Sequence, residues 1–153
     1  MSKSLLNSYV FAGLYLVVYD TFYGPVSSGI GIQDLELVIG ESYCQQKFFD
    51  AGTLSNLTIS VYLNEFSGNN VFTMRVNGGD GNQTVTVSGE TTGRFEDTSH
   101  TDSIDADDLV CVELVVPHEA DDEIWFSYSS IFDASSNTVM MWHSVLSAMY
   151  WGM

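Results

Sequence analysis

The chain has very little positive charge. Four Lys and Arg stand against twenty Asp and Glu in 153 residues, a formal net charge of −16 at neutral pH. A nucleic-acid binder needs cations to displace phosphate counterions, so no nucleic-acid partner is expected. An anionic lipid surface would repel the chain too, so no membrane partner is expected. Cysteine is limited to Cys44 and Cys111, with no C-x-x-C and no Cys/His ligand spacing. That excludes a zinc framework, and the apolar flanks of both residues read as buried free thiols. No apolar run approaches the ~20 residues of a spanning helix. Residues 9–19 (YVFAGLYLVVY) form an eleven-residue run. Its length matches the core of a secretion signal and Lys3 precedes it, but no A-x-A-like cleavage site follows. The next residues, DTFYGP, have the character of a strand end and turn, so residues 9–19 read as a buried strand. No G-x-S-x-G is present, and His100, His118 and His143 sit in three unrelated settings. No enzyme is expected.

What the chain does have is apolar mass. Hydrophobic residues make up 45%, including nine Phe, eight Tyr and three Trp. That is too rich in aromatic and β-branched residues for a disordered chain, and the length predicts one domain, residues 1–153. The periodicity is two almost throughout. Residues 57–63, 71–76, 84–88, 109–116 and 124–128 all read as strands. Turn signals at 23–25, 28–29, 67–70, 77–82, 88–90 and 118–122 punctuate them every 8–15 residues. Residues 74–85 read as a hairpin around a glycine-rich loop at 77–82, and 138–151 as a long, bent last strand. The pattern predicts an all-β fold: a single jelly-roll-like antiparallel β-sandwich of about eight to ten strands.

Charge is concentrated. Residues 90–123 carry twelve of the twenty acids and one basic residue, Arg94. Within them, Asp97, Asp102, Asp105, Asp107 and Asp108 put five carboxylates into twelve residues. Such oxygen-rich loops can hold calcium, which makes calcium the one cofactor the sequence raises. The spacing is not that of an EF-hand, and a solvated acidic turn is the alternative. The C-terminal third is crowded with Trp125, Phe126, Tyr128, Phe132, Trp142, Tyr150 and Trp151, interspersed with methionine. These exceed what a sandwich interior of this size absorbs. Trp142, Met149, Tyr150 and Trp151 are therefore the candidate subunit interface of a homo-oligomer.

Residues 52–116 carry a recognisable series: GTLSNL, FTMRVNG, NQTVTV, TTGRFED and DSIDADDLV. The series resembles jelly-roll β-sandwich modules in structural proteins of tailed bacteriophages and related viruses. The flanks, 1–51 and 117–153, lie outside the resemblance. It implies a virion structural protein: an outer capsid decoration, spike or fibre component, commonly a trimer, on the outer surface of the virion and in contact with other virion proteins. It transfers no catalytic residue. A chain of this charge is disfavoured facing packaged DNA, which agrees with an outside position. Two alternatives remain open. One is a secreted or surface carbohydrate-binding β-sandwich, calcium-assisted through the 97–108 run and contacting a host-surface glycan. The other is a subunit of an extracellular filament.

Overall fold

A two-residue turn lies at the centre of the chain. Asn77 and Gly78 both take positive φ, 52° and 81°, the mirror-image turn that suits strand twist and that Asn-Gly supplies at little cost. The computed structural model describes residues 2–12, 21–25, 40–117, 122 and 124–135, with backbone alone for 2–12, Phe22 and Pro25. In sequence order the strands are β1 (Ser2–Ala12), β2 (Thr21–Pro25), β3 (Gln46–Lys47), β4 (Gly52–Asn64), β5 (Asn70–Val76), β6 (Gly79–Val87), β7 (Gly93–Ile104), β8 (Leu109–Val115) and β9 (Ile124–Ala134). A 3-10 turn, Glu41–Tyr43, precedes β3. The glycine-rich stretch 77–82, expected to be loop, is loop only at its first two residues. Strand pairing resumes at Gly79, opposite Val76.

From that turn the chain pairs outward as nested antiparallel hairpins. β5 pairs with β6, β4 with β7, β2 with β8 and β1 with β9. The nest is wound into two layers. One sheet runs β1-β9-β4-β7 and the other β2-β8-β5-β6, with β3 continuing the β2 edge along β8. Consecutive strands cross between layers except at the central hairpin and from β2 to β3, which share the β8 edge. That winding is a jelly roll, so the all-β fold class read from the pattern holds, with nine strands among the described residues.

Alternation places one side of each strand in the core. Leu54, Leu57, Ile59 and Val61 of β4 meet Phe72 and Met74 of β5, Val110, Val112 and Leu114 of β8, and Ile124, Phe126 and Phe132 of β9, all buried. Phe72 and Phe126 meet edge to face across the layers at 4.9 Å, and Phe48 and Phe132 do so at 4.8 Å. Truncating such a ring costs about 3–5 kcal/mol. The strand expected at residues 9–19 begins seven residues earlier, at Ser2, and is described through Ala12. Residues 13–20, and the last strand expected at 138–151, lie outside the described residues.

Candidate functional site

Among the described residues, the two large aromatics exposed on the four-stranded sheet lie together. Between Val61 and Leu63 the β4–β9 register slips by one residue, so Tyr62 is the extra residue of a bulge. Tyr62 is 57% exposed, and Trp125, opposite Leu63, is 41% exposed. The Tyr62 hydroxyl hydrogen bonds with the Ser127 hydroxyl at 3.2 Å. Beside the rings run two rows across three strands: Arg94, Ser60 and Ser127, then Glu96, Thr58 and Ser129. The inward neighbours on β9, Phe126 and Tyr128, are buried, so this hydroxyl-bearing side is the outer face. Arg94 forms an ion pair with Glu96. The face therefore offers two aromatic surfaces, the half-buried Ser60 and Ser129 hydroxyls and one neutralised ion pair, with Thr58 and Ser127 buried between them.

The acidic run behaves differently from a ligand loop. Asp97 and Asp102 lie in β7, 7% and 3% exposed, where β7 crosses the open side of the sandwich next to β6. Asp102 accepts hydrogen bonds from the Asn82 amide and from Gln83 Nε2. Gln83, fully buried, in turn accepts from the Leu57 amide at 3.0 Å, at the β4 bulge where Asn56 takes φ 59°. Asp97 accepts from the amides of Thr84, Ser99 and His100 and contacts the His100 ring at 2.9 Å. Burial alone would raise the Asp97 carboxyl, but these donors outweigh it and hold it below its usual range. Gly81 must lack a side chain because a Cβ would lie 2.7 Å from the Asp102 carboxylate.

The other three acids are placed elsewhere. Asp105 is exposed. Asp107 pairs with Lys47 at 2.7 Å. Asp108 accepts from the Asp105 amide and from Asn77 Nδ2. The five carboxylates proposed as calcium ligands are thus not brought together; two close a strand edge and two tie a turn. Among the described residues, no three His, Cys, Asp or Glu converge to hold a metal ion.

A third cluster lies on the outer face of the five-stranded sheet, under the 3-10 turn. Arg75 pairs with Glu41 at 3.2 Å, with Glu113 at 3.8 Å and with Asp80. Desolvation would lower the Arg75 pKa, but the surrounding carboxylates raise it. Cys44 and Cys111 are buried thiols beside this cluster, joined by no disulfide, as their flanks suggested. Burial, and then the Glu41 carboxylate, pushes the Cys111 thiol up, which leaves it a poor nucleophile. With Arg75 and Arg94 engaged, and Lys47 on Asp107, each basic side chain described is neutralised by an acid.

Sequence reading singled out Trp125 only as one aromatic among many, and it did not find Tyr62, whose place beside Trp125 depends on a bulge. The proposed interface residues Trp142, Met149, Tyr150 and Trp151, together with His118 and His143, lie outside the described residues. No protein-family model matches the chain, and no curated protein matches it. Several solved structures are similar, among them two at low identity. A CBM36-1 domain of a multidomain xylanase from the hindgut metagenome of Trinervitermes trinervoides shares 13% identity at a TM-score of 0.44, over 88% of this chain and 100% of that one. A family 35 carbohydrate binding module from Clostridium thermocellum shares 12% at a TM-score of 0.40, over 84% of this chain and 98% of that one.

Proposed function

We propose that the chain is a carbohydrate-binding β-sandwich whose site is the outer face of the four-stranded sheet around Trp125 and Tyr62. One observation carries this reading: two exposed rings adjoin the Ser60 and Ser129 hydroxyls and the Arg94–Glu96 pair on the outer face of the sheet. Sugars present an apolar C–H surface edged by hydroxyls. Aromatic faces bury the former, and hydroxyls with an Arg–Glu pair exchange hydrogen bonds with the latter. The ligand class is neutral, because each described cation already has its acid and a net charge of −16 repels a polyanion. The two structural neighbours carry no residue over to this site. The virion reading rests on a jelly roll, which capsid subunits and lectins share, and its proposed interface is not among the described residues.

Affinity electrophoresis tests the reading. Gels containing neutral polysaccharides should retard the protein, with or without a chelator, and gels containing uronic or sulfated polysaccharides should not. Trp125→Ala should run without retardation. Equal mobility in every neutral gel, or a Trp125→Ala variant retarded like the parent, removes the assignment.

A further inference from the structure

Sheets that end in open strands template association with other chains, and natural proteins guard those edges with charge, proline, short strands or caps. Three edges of this sandwich are guarded. β7 carries Arg94, Glu96, Asp97 and Asp102 and starts at Gly93 with φ 123°. The β6 amides of Asn82 and Thr84 are capped by Asp102 and Asp97. β2 and β3 are five and two residues long, and β2 ends in Pro25. β1 is the exception. It runs eleven residues, SKSLLNSYVFA, with no proline, no glycine, no acid and one charge, Lys3. Among the described residues it pairs with β9 alone, on one side.

We propose that β1 pairs antiparallel with β1 of a second copy of this chain, joining two four-stranded sheets into one across a two-fold axis. Two features favour a second copy over another partner. An antiparallel edge is complementary to itself under a two-fold, so one strand supplies both halves of the ladder. Charge agrees as well. Two copies at −16 each repel, yet none of the twenty acids lies in residues 1–19, so contact there adds no acid to acid. With the axis at Asn7, the middle residue, Lys3 stands opposite Phe11 and the two Lys3 positions lie at opposite ends of a ladder ~37 Å long. Raising the salt concentration screens the remaining repulsion and tightens the pair.

The test is the mass of the full chain by light scattering after size exclusion, across a dilution series at low and high salt. The expected result is a species of twice 16.9 kDa that strengthens with salt. A Leu5→Lys/Asn7→Lys variant, which sets four lysines around the axis at positions in register with Ile131 and Ser129, should run as a monomer with near-parental circular dichroism. Should that variant misfold, Asn7→Cys gives a second reading: glutathione disulfide should link two copies through the thiols at position 7. Hydrogen exchange should show both alternating sets of β1 amides protected. A parent of 16.9 kDa at every concentration overturns the proposal. Protected edge amides in that monomer would then assign the edge to another segment of the same chain, and exchanging ones would leave it to a different partner. A dimer that persists in the lysine variant, with no link at position 7, overturns it equally by placing the interface elsewhere.

Discussion

Replacing Asp102 with alanine removes the acceptor for two donors at once. Gln83 Nε2 loses its partner at 2.9 Å inside the sandwich, and the Asn82 amide loses its own at the edge. Gln83 is then free to rotate away from the Leu57 amide that its Oε1 holds. A buried donor without an acceptor costs about 1–3 kcal/mol. The Gln83 site is dry and takes that cost in full, while the Asn82 amide is part-buried and recovers some of it from water. The expected loss is about 2–4 kcal/mol, a large share of the ~5–15 kcal/mol that holds a domain together. Urea unfolding followed by circular dichroism reads it directly. With a slope of ~2 kcal/mol per molar, the midpoint should fall by about 1–2 M. Asp102→Leu combined with Gln83→Leu should cost less than the two single losses added, because donor and acceptor leave together. A loss below ~0.5 kcal/mol for Asp102→Ala refutes the edge-cap role, because an uncompensated buried donor cannot cost so little. So does a parent that calcium stabilises in a manner abolished by this substitution, which would make Asp102 a metal ligand.

Four further outcomes follow from the same geometry. A Trp side chain offers ~250 Å², and 41% of it is open. Covering that ~100 Å², or the half on one face, contributes about 1.3–2.5 kcal/mol, so Trp125→Ala should weaken glycan binding roughly 10- to 70-fold by titration calorimetry. The carboxyl of Asp97 is lowered in the folded state. Its stabilisation is therefore present above the ordinary carboxylate value of ~3.9 and is lost as pH falls below it. Asp97→Asn should flatten the acid limb of a stability–pH profile and leave less stability at pH 7. Gly89→Ala would set a Cβ 1.9 Å from the Ser67 carbonyl oxygen, and thermal unfolding should show a loss of about 1–3 kcal/mol. Cys111 should react with a thiol reagent only in denaturant, since it is buried and its thiol is held protonated.

Much of the fold was legible because period two survives where one side of a strand is buried. Residues 57–63 fall within β4, 71–76 within β5 and 124–128 within β9, while 84–88 and 109–116 overrun β6 and β8 by one residue each. The Asn77-Gly78 turn declares itself through residues suited to positive φ. The acids of β7 were misleading for a physical reason. Asp97 and Asp102 occupy inward positions, and the signal was in their neighbours: Phe95 and Ile104 stand two residues away on the same side. A carboxylate in a core register is legible only if something is there to donate to it, and the donors are backbone amides of β6 and β7 and the Gln83 side chain, invisible in a composition. Tyr62 was missed for a related reason. Strict alternation leaves Tyr62 on the outer side but gives no sign that a bulge doubles it with Leu63 beside Trp125.

The nested pairing also sets a schedule for synthesis. β5 and β6 can meet as soon as both have left the ribosome, but β1 cannot find its register until Ile124–Ala134 has been made. At ~5–20 residues per second that wait lasts several seconds or more. Throughout it, β1, SKSLLNSYVFA, lacks the strand it pairs with among the described residues. The nascent sandwich is therefore more vulnerable to misassociation at β1 than at β9, which meets partners already made. A holding chaperone, or close neighbours on one polysome, would act on this segment first.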